Sequence, residues 1–127
     1  EFQESLAFVK RMAFSAGHVF SFSPRPGTPA ARYTQQVLPV ERKKRSAMMR
    51  AALAETGASY QKAFLGHTLG VLWETSQQDS TGAWQMEGLT ANYLRVSAQA
   101  ECNLWNQVSQ VRLDEFSGEG LRGQILR

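Results

Sequence analysis

A single cysteine, Cys102, stands in a chain of 127 residues. One thiol excludes an intrachain disulfide and fits a reducing compartment. It also excludes a cysteine-only metal or iron–sulfur site built by this chain alone. The two histidines, His18 and His67, are isolated, with no ligand cluster beside either, so no metal site is expected. Long hydrophobic runs are missing as well: none approaches the ~20 residues that a membrane-crossing helix needs. The opening "EFQESLAFVK" is acidic and amphipathic and lacks the basic-then-apolar order of a signal peptide. A cytoplasmic protein with no membrane partner is expected. No P-loop, GxGxxG or Ser–His–Asp order is present. Asp114 and Glu115 are neighbours, so on a strand they point to opposite faces and form no catalytic pair. No catalytic residue is expected in this chain.

What is present is enough for a core: 43% of residues are apolar. The net charge is +3, unevenly spread. Residues 1–40 carry +2, residues 41–66 carry +4 and residues 67–127 carry −3. The basic character therefore sits in one short central segment, which would meet a polyanion first.

The patterning predicts an α+β chain in three pieces. In 1–38, "EFQESLAFVKRMAFSAG" reads as an amphipathic helix on Phe2, Leu6, Val9 and Ala13, stopped by Gly17. "HVFSF" follows as a short strand without a partner nearby. Pro24, Pro26 and Pro29, with Gly27, then make an ordered but irregular loop. Residues 39–65 read as a long basic helix opened by Pro39 and Glu41, weakest at Gly57 and stopped by Gly66. Residues 66–127 hold about five short strands between turn clusters, the pattern of a small antiparallel, OB-like β-barrel. Its expected core is Val71, Trp73, Leu89, Val96, Val111 and Leu113.

Five stretches follow one another in order: "FQESLAFVKRM", "HVFSFSPRPGTPAA", "QVLPVERKKR", "FLGHTLGVLWE" and "GLTANYLRV". Together they resemble the C-terminal part of the radical-SAM methylthiotransferases that modify tRNA. The resemblance implies that 1–38 is the end of a radical-SAM barrel, that 39–65 connects, and that 66–127 is a TRAM barrel that grips tRNA. "GLTANYLRV" is similar to the "GYTxNYxxV" of the branch acting on threonylcarbamoyladenosine next to the anticodon. The branch modifying a ribosomal protein, which usually lacks the Arg-Pro pair of the first loop, is the alternative. The whole enzymes use S-adenosylmethionine and iron–sulfur clusters, one of them on a CxxxCxxC motif. That motif is absent here, so the chain is expected to be a fragment that does no radical chemistry and holds no cofactor. Its implied partners are the anticodon stem-loop of tRNA and the rest of the enzyme.

Three groups of residues carry the expected RNA contacts. Arg25, Gly27 and Thr28 form a loop that the resemblance places toward the substrate; the other reading is a rigid connector with a solvated Arg25. Arg42, Lys43, Lys44 and Arg45 span more than a helical turn, so they cannot all face one way, and those facing out would meet phosphate or simply solvent. Lys62, His67, Arg95, Arg112 and Arg122, with Trp84, Tyr93 and Trp105, suit a barrel that stacks bases on aromatics beside cations. The −3 of this piece argues that it does not bind RNA strongly alone. A protein-interaction role for the barrel is the competing reading. Asn92 reads as a turn residue. Removed from its barrel neighbours, "HVFSF" is expected to pack on the long helix, on the β-barrel or on a second copy in a dimer.

Overall fold

The computed structural model describes all of residues 1–127. Helix α1 (Phe2–Met12) has Glu4 in its first turn and Lys10 and Arg11 in its last, both favourable to the helix dipole. Leu6 is its one buried residue, while Phe8 and Met12 are exposed. The helix ends before the expected Gly17. Ala13 takes the left-handed conformation, φ 50°, and its N–H returns to the Lys10 carbonyl at 3.3 Å. A non-glycine residue there costs about 1–2 kcal/mol.

"HVFSF" is not the expected strand. A strand needs a ladder partner for its backbone, and none runs beside residues 18–22. The segment lies instead on α2 (Pro39–Lys62), one of the three partners expected for it. Two side-chain contacts hold it: the Ser21 and Ser46 hydroxyls are 2.7 Å apart, and Arg42 Nη1 donates to the Phe22 carbonyl at 2.7 Å. Helix α2 runs through Gly57, which is buried. Glycine is required there by a close approach: a Cβ would lie 2.9 Å from the Ser15 carbonyl oxygen. Helix α2 ends at Lys62, short of Gly66.

The chain divides into two compact units, Glu1–Tyr60 and Gln61–Arg127. The second is a closed barrel of β1 (Thr68–Gln78), β2 (Trp84–Thr90), β3 (Arg95–Ala100), β4 (Val108–Ser117) and β5 (Gly120–Ile125). Its order is β1-β2-β3-β5-β4, the arrangement of an OB-like barrel. The expectation of an antiparallel barrel needs one correction: β3 and β5 pair parallel. Five strands cannot alternate direction all the way round a closed ring, so one like-directed contact is unavoidable.

Val71, Trp73, Val96, Val111 and Leu113 are buried as expected, and each contributes about 1.5–3 kcal/mol of transfer free energy. Trp73 satisfies its indole N–H on Ser109 Oγ at 2.9 Å. Leu89 is only half-buried, because β2 turns Met86, Gly88 and Thr90 inward. Met86, Leu94, Ala98 and Leu121 complete the core. The β1–β2 register slips at Glu74 and the β4–β5 register at Asp114, one bulge in each long strand.

Candidate nucleic-acid interface

The sequence "RPGT" is a fixed turn. Pro26 and Gly27 (φ 83°) occupy its central positions, the residue types of a type II turn. Thr28 closes it twice on the Arg25 carbonyl, through its N–H at 3.2 Å and its hydroxyl at 2.8 Å. The same hydroxyl accepts the Ala31 N–H at 3.3 Å, starting the single 3₁₀ turn Ala30–Arg32. Gly27 and Thr28 therefore have structural work here. Arg25 lends the turn its carbonyl and leaves its exposed side chain without an ion pair.

The four cations of α2 divide by helical geometry. Arg42 and Arg45 are three apart and share the face of Ser46 and Met49. Arg42 holds the Phe22 carbonyl; Arg45 gives Nε to Glu41 at 3.0 Å and lies over the Phe2 ring, 5.3 Å from its centre. Both are half-buried. Lys43 and Lys44 are exposed and form no ion pair. The expected phosphate-contacting run of four thus contains two free ammonium groups and two guanidiniums already committed to the fold.

On the barrel, the expected cations are scattered. Lys62 closes α2, and His67 meets the Phe64 ring edge-on at 5.8 Å just before β1. Arg112 donates to Asp114 at 2.9 Å and to Gln124 at 3.1 Å. The hydrogen bond and charge of Asp114 raise the guanidinium's pKa further above its ordinary value. Asp114 is the bulged residue of β4, so strand alternation fails there and both it and Glu115 are exposed. Arg122 on β5 faces Ser97 and Glu115 across its two ladders. Arg95 opens β3 and lines a groove of about 450 Å³ in which Glu74, Glu87 and Glu119 also stand. One guanidinium among three carboxylates is a poor seat for phosphate.

The aromatics divide more clearly. Trp84 is half-buried at the start of β2, so it offers less surface than expected. Trp105 is 60% exposed, and its indole N–H donates to the Glu74 carbonyl at 3.1 Å. A bulge leaves a backbone group outside the ladder, and here the tryptophan takes it. Its ring is thereby fixed while its face stays open. Tyr93 is 83% exposed at the β2–β3 turn, with φ 63°. The turn beneath it is braced: the Thr90 hydroxyl donates to Asn92 Oδ1 at 2.6 Å and accepts the Leu94 N–H at 2.9 Å. Asn92 thus has the expected structural role, but by side-chain bonding; the left-handed residue is Tyr93.

Sequence reasoning passed over Asp79. Its carboxylate gathers the Thr81 hydroxyl and N–H, the Gln85 amide and the Ala83 N–H, buckling the β1–β2 turn. These bonds, that from the Thr81 hydroxyl foremost, lower its pKa from 3.8 to about 2. The signal was "DSTG", an Asx-type turn sequence.

An iron–sulfur cluster, which the methylthiotransferase resemblance implies for the whole enzymes, does not fit these residues. Cys102 is exposed and alone, and no three His, Cys, Asp or Glu side chains are gathered to hold a metal ion. No helix is long and apolar enough to cross a membrane.

The second unit is a small OB-like barrel, an architecture used to bind oligonucleotides and oligosaccharides, and the first unit carries a basic helix. No family model matches the chain. It is 32% identical over 126 residues, 99% of its length, to a tRNA-2-methylthio-N(6)-dimethylallyladenosine synthase of Hydrogenovibrio crunogenus. It is 29% and 28% identical, over 98% and 99% of its length, to synthases of the same name from Maricaulis maris and Methylococcus capsulatus. The chain spans 26–27% of the length of these relatives. They support the methylthiotransferase resemblance. They do not support the threonylcarbamoyladenosine branch expected from "GLTANYLRV", since all three are named for dimethylallyladenosine.

Proposed function

We propose that this chain is the C-terminal, tRNA-binding region of a methylthiotransferase of the dimethylallyladenosine branch, and that its own task is to hold and position the RNA. On this reading residues 1–38 end a radical-SAM barrel, 39–65 connect and 66–127 form a TRAM barrel. The sulfur-insertion chemistry then belongs to a cluster-bearing part of the enzyme. The observation that carries the reading is similarity along 99% of the chain to a synthase that modifies tRNA. The OB-like barrel with the pinned, open Trp105 is consistent with it.

The test is a titration of the chain with a fluorescently labelled anticodon stem-loop at two salt concentrations. Binding should weaken as salt rises, with a log–log slope near −0.7 to −0.9 per phosphate contact. No detectable binding at low salt would refute the proposal. The groove around Glu74, Glu87 and Glu119 favours a second reading, in which the barrel binds a basic protein segment. Capture of a lysine-rich peptide, lost on Glu87→Gln, with no RNA binding would select it.

A further inference from the structure

Helix α2 carries a cationic patch that the fold does not use. Lys43, Lys44 and Arg50 are exposed, and none of them forms an ion pair. All three are surface neighbours of the exposed Ala47, which lies three or four residues from each. Lys43 and Arg50 stand two turns apart, about 10.5 Å along the axis.

A solvated helix face ordinarily sets carboxylates three or four residues from its cations. That pattern fails here. At those spacings from Lys43, Lys44 and Arg50 the one acidic residue is Glu41, and Arg45 already holds its carboxylate at 3.0 Å. The helix therefore does not relieve the like charge of the patch. An apolar protein surface laid over it would strand three charges out of water, whereas a polyanion would neutralise them.

The patch also selects among parts of a nucleic acid. No exposed residue of α2 is aromatic, so an unpaired base finds no ring to stack on, and stacking is a main hold on single strands. The cations are held at a fixed spacing on a rigid helix, which suits phosphates that are themselves fixed. A base-paired RNA stem supplies such phosphates and is recognised through its shape and backbone.

We infer that Lys43, Lys44 and Arg50 form one phosphate-binding patch for the base-paired stem of the RNA. The inference rests on the RNA-binding reading above; it adds Arg50 and names the element of the RNA that the helix meets.

The test titrates the 127-residue chain with a blunt RNA duplex and with a polyuridine strand of equal length, at about 50 and 200 mM salt. The duplex should bind more tightly. Arg50→Ala should flatten the duplex salt slope by about 0.9, so the fall in affinity between the two salt concentrations shrinks about 3.5-fold. Ala47→Glu, which sets a carboxylate among the three cations, should weaken duplex binding severalfold, and Ala47→Gln, of the same shape without the charge, should not. Arg32→Ala, which removes an exposed cation outside the patch, should leave the slope in place. Far-UV circular dichroism checks that each variant is folded. Polyuridine bound as tightly as duplex, or an Arg32→Ala effect equal to that of Arg50→Ala, would overturn the inference. If the parent binds the stem-loop while Arg50→Ala and Ala47→Glu leave affinity and slope unchanged, the patch is not the stem site and the RNA reading stands. If the parent chain binds no RNA, both readings fall together, before any variant is made.

Discussion

Replacing Gly57 with alanine sets two effects of known size against each other. Alanine in a helix interior is favoured over glycine by about 1 kcal/mol. At this position, however, the new Cβ would lie 2.9 Å from the Ser15 carbonyl oxygen. Even a close C–H···O contact keeps carbon and oxygen about 3.3 Å apart, so the overlap is about 0.4 Å. The opposing atom is backbone and cannot rotate aside. The Ser15 segment is already tight on α2, since a Cβ on Gly17 would meet Leu53, one turn earlier on the helix, at 2.8 Å. Overpacking of this kind costs about 1–3 kcal/mol. The net expectation for Gly57→Ala is a loss of up to about 2 kcal/mol, despite better helix propensity. Urea unfolding followed by far-UV circular dichroism measures it. Ala58→Gly, at the exposed neighbouring position, should lose about 1 kcal/mol through propensity alone. Two exchanges of opposite chemistry that both destabilise are the signature. A gain of about 0.5 kcal/mol or more for Gly57→Ala, half the propensity difference, would refute the close-approach argument.

Three further perturbations separate roles that look alike in the sequence. Lys43→Ala/Lys44→Ala should flatten the RNA salt slope by about 1.4–1.8 without moving the thermal midpoint, whereas Arg42→Ala should lower that midpoint, because it strips the Phe22 carbonyl of its donor. Equal effects on the midpoint would show that the run has no division of labour. Asp79 has a lowered folded pKa, so its contribution is whole above its ordinary 3.8 and is lost as pH falls toward about 2. The stability gap between the parent chain and Asp79→Asn should accordingly close across that window, and a gap that persists at pH 2 would count against an ionised buckle. Thr90→Val removes the acceptor of the buried Leu94 N–H and should cost about 1–3 kcal/mol in a denaturant titration, with faster amide exchange at Leu94.

The parts of the structure legible from sequence are those set locally. Helix α2 follows from its helix-forming residues behind Pro39 and Glu41, and the inward positions Val71, Trp73, Val111 and Leu113 follow from a spacing of 2. The errors arise where long-range closure or a register shift takes over. Leu89 and Met86 are both apolar and lie on opposite faces of β2, and only the pairing of Leu89 with Leu72 on the outer face fixes which points in. "HVFSF" has strand-forming residues, but a strand exists only with a partner. The split of Arg42 and Arg45 from Lys43 and Lys44 follows from helical spacing once the face carrying Ser46 is known to be covered. Trp105 could be ranked above Trp84 only after the bulge at Glu74 revealed the carbonyl that it takes. The branch expectation rested on the short stretch "GLTANYLRV", which the structure shows as a turn braced by Thr90 and Asn92.

The charge of the two units decides which of them would attract RNA. Residues 1–60 carry nine Lys/Arg against four Asp/Glu, a net of +5. Residues 61–127 carry five against seven, a net of −2. The barrel's cations are further offset in place: Arg112 sits on Asp114, Arg127 on Glu101, and Arg95 among three glutamates. Attraction that acts over a Debye length, about 8–10 Å, must therefore come from the helical unit. The barrel can add only short-range contacts: the faces of Trp105 and Tyr93 and the backbone donors of its turns. Such contacts gain nothing at a distance and everything on touching. Under the proposed function, capture and reading of the RNA then fall to different units of one chain. The exposed lysines of α2 set how strongly salt weakens binding, and the pinned tryptophan sets how tightly the captured strand is held.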